Sequence, residues 1–125
     1  MSRTATGQTV LVAEDDSLLR DLLHDVLVEQ GFRVQTARDG VEAYAATSRT
    51  RVDLVLADLD MPYVDGLTLC RLLHRREATR DVPLVLMSGM IGAESTLPDP
   101  ADAFLAKPFS LEELDATVRG VLRRP

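Results

Sequence analysis

The chain has 125 residues, 46% of them hydrophobic, 27% charged and only 4% aromatic, with no tryptophan. That is one domain's worth of sequence, with a core made from Leu, Val and Ala rather than from rings. A formal net charge of -6 argues against direct nucleic-acid binding, and the lone Cys70 excludes an internal disulfide or a cysteine-built metal site.

The first eight residues are polar and read as a flexible extension, with residues 9–125 as the folded domain. The apolar run that follows the extension, Val10 to Ala13, is too short for a leader or a membrane span. With cysteine nearly absent, a reducing, cytoplasmic setting is expected.

TVLVA (residues 9–13) reads as a buried strand. It leads into SLLRDLLHDVLVEQ, where Leu18, Leu19, Leu22, Leu23, Val26 and Leu27 are spaced for one helix face. Ser17 is the expected N-cap of that helix, and Gly31 sits where a left-handed residue ends it. FRVQTA (residues 32–37) alternates as a strand with one less buried face, and DGVEAYAATS (residues 39–48) follows as a short helix. DLVLA (residues 53–57) is the third strand, and Asp65-Gly66 turns into a helix whose Leu69, Leu72 and Leu73 share a face. PLVLM (residues 83–87) and AFLA (residues 103–106) are the fourth and fifth strands.

The last helix opens on the capping box Ser110-Leu111-Glu112-Glu113, with Phe109 and Leu114 placed as a hydrophobic staple. Its core face is expected to be Leu111, Leu114, Val118 and Val121 or Leu122. Between the fourth and fifth strands, Gly89, Gly92, Pro98 and Pro100 leave little room for a helix interior. Any helix there, around residues 91–97, should be short, distorted or absent. Strands alternating with helices make this an α/β domain, a parallel sheet covered on both faces, with no repeat or linker.

In such sheets, ligands bind beyond the carboxyl ends of the strands. There the sequence places Glu14, Asp15 and Asp16 after the first strand and Asp58 and Asp60 after the third. Ser88 follows the fourth and Lys107 the fifth. Acidic residues opening a helix also suit its dipole, so Glu14, Asp15 and Asp16 alone would mean little. The joint placement is more telling. Two carboxylates 4 Å apart repel by about 4 kcal/mol at an effective dielectric of 20, so converging acids call for protons or a cation. Oxygen-only ligands favour Mg²⁺ or Mn²⁺. Three carboxylates, one divalent ion and one lysine sum to zero charge, a site ready for a phosphoryl group.

The segments VLVAEDDSLLRDLL, DLVLADLDMPYVDGL, VPLVLMSG and AFLAKPFSLEEL resemble those of response-regulator receiver domains, similar to the bacterial chemotaxis response regulator. DxDMPxxDG together with Lys-Pro-Phe is a specific pattern. The resemblance implies a flavodoxin-like, doubly wound five-stranded sheet with strand order 2-1-3-4-5. It implies Asp58 as the phosphoacceptor of a kinase phosphohistidine, with Mg²⁺ (or Mn²⁺) held by Asp15, Glu14, Asp58 and the backbone carbonyl of Asp60. Ser88 would hydrogen-bond the phosphoryl group and Lys107 pair with it. Phe104 would be the aromatic switch, and Lys107-Pro108 a cis peptide.

The implied protein is not a turnover enzyme, though it would catalyse its own aspartyl phosphorylation and autodephosphorylation. Its partners would be a sensor histidine kinase or phosphotransfer protein and a downstream protein or fused output domain, with no nucleic acid or membrane. The chain ends after its last helix, as a stand-alone receiver or an excised one does.

Other readings stay open. Asp58-Leu59-Asp60 after an apolar strand also resembles the DxD motif of a haloacid-dehalogenase-type phosphatase, although here the other acids precede it rather than follow it. A flavodoxin-like cofactor binder would need a phosphate cradle where Glu14, Asp15 and Asp16 stand. A degenerate receiver acting only as an interaction module would keep the fold without the chemistry. His24 and His74 read as surface residues, and Cys70 as packed rather than reactive. Arg71, Arg75, Arg76 and Arg80 cluster near the end of the third helix, where cations suit the dipole.

Overall fold

The computed structural model describes residues 7–90 and 101–123. Five parallel strands form one sheet: β1 (Thr9–Ala13), β2 (Arg33–Ala37), β3 (Leu54–Asp58), β4 (Leu84–Ser88) and β5 (Ala103–Ala106), in the order β2-β1-β3-β4-β5. Helices α1 (Ser17–Glu29), α2 (Gly40–Arg49), α3 (Gly66–Arg75) and α4 (Leu111–Leu122) flank it, with a 3₁₀ turn at Glu77–Thr79. The expected doubly wound α/β fold and strand order are both present. The expectation for residues 91–97 lies outside the described residues, as do residues 1–6 of the N-terminal extension.

The alternation of side chains along each strand builds two cores. Leu11, Ala13, Val55, Ala57, Leu84 and Leu86 face one way and meet Ala43, Leu69, Cys70 and Leu73 of α2 and α3. Val10, Val12, Leu54, Leu56, Val85 and Met87 face the other and meet Leu23, Leu27, Leu114, Val118 and Val121 of α1 and α4. All five residues of β3 and all five of β4 are buried, as strands covered on both faces must be, and this is why they read as continuous apolar runs. Strand β2, at the sheet edge, is the more exposed one.

Helix α1 turns a narrower face inward than its apolar spacing suggests. Leu23 and Leu27 are buried, Leu19 and Val26 flank them, and Leu18 and Leu22 stand exposed. Leu111 is likewise exposed rather than part of the α4 core face. Both helices lie against the sheet along one side only, so the outer residues of a wide apolar stripe cannot all reach it. The N-cap of α1 is Asp16, not Ser17: its Oδ1 accepts the Leu18 N–H at 3.0 Å, and the carboxylate also suits the positive end of the helix. Gly31 takes the left-handed conformation at φ +100°, as expected after a helix end.

Two glycines fix the helices beside the strand ends. A Cβ on Gly66 would stand 2.4 Å from the Asp58 carbonyl oxygen, and one on Gly40 would stand 2.1 Å from that of Val64. Only glycine lets α3 start against the last residue of β3, and α2 against the loop that follows β3.

Candidate functional site

The last residues of β3 and β4 are Asp58 and Ser88, and the residues directly after β1 and β5 are Glu14 and Lys107. Parallel pairing aligns these ends: Asp58 is in register with Met87, and Ser88 with Ala106. One edge of the sheet therefore gathers the groups that the sequence spreads over 94 positions.

The Lys107 ammonium joins two buried carboxylates. Its Nζ donates to Glu14 Oε1 at 2.8 Å and to Asp58 Oδ2 at 2.7 Å. Glu14 is 1% exposed and Asp58 5%. Their remaining oxygens accept backbone amides two residues on: Asp16 N–H to Glu14 Oε2 at 3.1 Å, and Asp60 N–H to Asp58 Oδ1 at 3.0 Å. Asp15 is exposed, yet one oxygen each from Glu14, Asp15 and Asp58 lie within 4.8 Å of one another. Three carboxylates face one ammonium, leaving excess negative charge in a confined space.

Burial, more than the crowding of charge, sets the protonation of the group. Burial pushes Glu14 up to about 7, with the hydrogen bonds from Lys107 and from the Asp16 amide opposing and the neighbouring Asp58 adding to the rise. Burial alone would lower Lys107, but its hydrogen bonds to Asp58 and Glu14 outweigh it and hold the ammonium above its ordinary 10.5. A cation seated among the three acids would displace the Glu14 proton and take over the charge that Lys107 leaves unbalanced. The all-oxygen donor set fits a hard divalent ion.

Ser88 is buried, and its Oγ accepts the Met90 N–H at 3.0 Å while its carbonyl accepts the Lys107 N–H at 2.8 Å. Asp60 reaches Asp58 through its backbone, with its side chain exposed. Phe104 is not part of the converging group. It lies on β5, half-buried against the core on the α2–α3 side. Lys107-Pro108 is cis. Asp16 spends its carboxylate on the α1 cap. His74 is exposed, His24 contacts Asp25, and Cys70 is buried with its thiol pushed up to about 11, chiefly by burial, which makes it unreactive.

The sequence reading passed over Arg20. Its Nη1 donates to the Glu14 carbonyl at 2.8 Å and to the Asp15 carbonyl at 3.5 Å. The available signal was a cation in the first turn and a half of a helix, where the dipole disfavours one, six residues after Glu14.

A family model described as the response regulator receiver domain matches residues 10–119. The transcriptional activator protein PfeR of Pseudomonas aeruginosa is 44% identical over 92% of the chain, which spans 38% of that protein. The chain covers about half the length of other curated regulators it matches. Among solved structures, the chemotaxis protein CheY4 of Vibrio cholerae superposes with a TM-score of 0.85 at 26% identity, covering 93% of this chain and 99% of that one. The receiver domain of a sensor histidine kinase from Pseudomonas aeruginosa, with a magnesium ion coordinated in its active-site cleft, gives 0.86 at 27% identity, covering 95% and 100%.

Proposed function

Because the chain belongs to the response regulator receiver domain family, we propose that it accepts a phosphoryl group on Asp58 from a phosphohistidine and uses it to switch a protein-interaction surface. Family membership sets aside the haloacid-dehalogenase-type phosphatase and the flavin binder. The observation that carries the reading is the Lys107 ammonium bridging Glu14 and Asp58, with Asp15 beside them.

In this reading the folded receiver comprises residues 9–125. Asp15, Glu14, Asp58 and the Asp60 carbonyl hold Mg²⁺ (or Mn²⁺), which supplies charge neutralisation at the phosphoryl oxygens. The Asp58 carboxylate attacks phosphorus as the N–P bond of the phosphohistidine breaks, and the freed imidazole leaves. Lys107 trades a carboxylate partner for a phosphoryl oxygen, stabilising the charge spread over the transferred group.

Ser88 has a proton to donate and lone pairs to spare, so its hydroxyl turns to a phosphoryl oxygen. The Met90 amide bound to that hydroxyl follows it, and Phe104 responds by moving inward, a shift between two existing packings. Water then hydrolyses the acyl phosphate within the same site, so the domain resets itself without being a turnover enzyme.

The partners on this reading are a sensor histidine kinase or phosphotransfer protein, and a downstream protein or fused output domain. The setting is the cytoplasm. Among the described residues, no helix is long and apolar enough to cross a membrane.

The test is incubation with acetyl phosphate and Mg²⁺, followed by intact mass. Wild-type protein should gain a single hydroxylamine-labile phosphoryl group, and Asp58→Asn none. Incorporation unchanged by Asp58→Asn would overturn the assignment. No incorporation by wild type would point to a degenerate receiver.

A further inference from the structure

The carboxylate of Asp15 is held differently from its neighbours. Glu14 and Asp58 each have Lys107 on one oxygen and a backbone amide on the other. Among the described residues, no hydrogen bond reaches the Asp15 carboxylate, yet one of its oxygens lies within 4.8 Å of oxygens of both Glu14 and Asp58. Its direction is set by the backbone on either side. Besides the Asp16 N–H bond to Glu14 Oε2, that backbone is tied at three points. The Glu14 N–H donates to the Ala37 carbonyl at 3.0 Å, and the Asp16 carbonyl accepts the Arg20 N–H at 2.9 Å in the first turn of α1. Between these two ties, the Arg20 guanidinium donates to the carbonyls of Glu14 and Asp15.

We propose that Arg20 is a positioning residue for the divalent-cation site: its guanidinium clamps the Glu14–Asp15 peptide and thereby aims the Asp15 carboxylate at Asp58. The proposal rests on the cation reading given above. Both contacts come from the one Nη1, which lies between adjacent carbonyls at the end of a long side chain whose planar guanidinium fixes its direction. The Arg20 side chain is half-buried and sits where the positive end of α1 makes a cation unfavourable, so the carbonyl contacts offset an electrostatic cost. Outer residues that orient metal ligands commonly change affinity 10- to 100-fold when removed.

The sign of the effect separates positioning from charge. A cation beside a cation site repels the incoming ion, so if Arg20 acted by charge alone, Arg20→Ala would tighten Mg²⁺ binding and Arg20→Lys would leave it unchanged. A clamp makes the opposite demand: Arg20→Ala weakens binding about tenfold, and Arg20→Lys weakens it by less because the charge is kept but the shorter side chain does not carry its nitrogen to where Nη1 meets both carbonyls.

The experiment is calorimetric titration of the full chain with MgCl₂ for wild type, Arg20→Lys and Arg20→Ala. Amide NMR spectra in EDTA accompany it, reading Asp15 and Asp16 directly without metal. Weaker binding in both variants, with amide shifts centred on residues 14–16, supports the clamp. Binding as tight as or tighter than wild type in either variant overturns it, as do unmoved Asp15 and Asp16 amides. Should Arg20→Ala not fold, Arg20→Lys alone decides by the same criteria. Absence of Mg²⁺ binding by wild type would instead refute the cation reading on which the clamp rests.

Discussion

At the scale of single residues, the decisive group is Glu14, a carboxyl buried against another carboxyl. Its value of about 7 exceeds the 4.5 of the free side chain, so the folded state holds an extra proton between those two values. Its contribution therefore favours folding at acid pH and fades as pH rises through about 7. Lys107 does not mask this, because its raised value lies above 10.5 and its contribution is lost only on the alkaline side of that. Metal-free protein should lose on the order of 2 kcal/mol of stability from this group between pH 5 and pH 8. Urea unfolding in EDTA should show that loss in wild type and a flatter profile in Glu14→Gln; equal slopes would show that another group is responsible. Divalent-cation affinity should rise over the same interval, since binding expels that proton.

Much of this site could be read from the chain, because parallel topology sends the residues after each strand to one edge. Glu14, Asp58, Ser88 and Lys107 needed only correct strand ends, and β3 and β4 each end one residue later than their apolar runs suggest. Arg20 could not be read in the same way. Its partners are backbone carbonyls, which every residue has, so no pairing of side-chain types betrays it.

Among the elements, the arginine cluster around the C-terminal end of α3 divides sharply. Arg76 donates to Thr47 Oγ1 and to Ser48 Oγ at 2.6 Å and lies 4.3 Å over the Tyr44 ring, tying the end of α2 to the end of α3. Arg71, Arg75 and Arg80 are exposed. Arg76→Ala should cost about 1–2 kcal/mol through the lost hydrogen bonds and cation–π contact. Arg71→Ala and Arg80→Ala should stay within about 0.5 kcal/mol of wild type. Urea midpoints of the three variants decide it, and equal losses would mean that the tie contributes nothing. Spacing marked all four arginines alike as dipole partners, because hydroxyls 28 and 29 residues upstream are invisible to a helical pattern. The same limit explains Leu18, Leu22 and Leu111: periodicity identifies an apolar stripe, but the width of sheet beneath it decides how much is covered.

For the whole molecule, the two-sided core places the acids. Leu11 and Val12 point to opposite cores, which locks β1 in register between β2 and β3 and holds Glu14 beside Asp58. The most direct measurement is an amide NMR titration with substoichiometric Mn²⁺, whose paramagnetism erases signals near it. Loss should appear first at residues 13–16 and 58–60 and at Ser88 and Lys107, reversed by excess Mg²⁺ and absent below millimolar Mn²⁺ in Asp15→Asn. Signal loss centred instead on the acids of α1 and α4, Asp25, Glu29 and Glu112, would contradict a shared cation pocket at the strand ends.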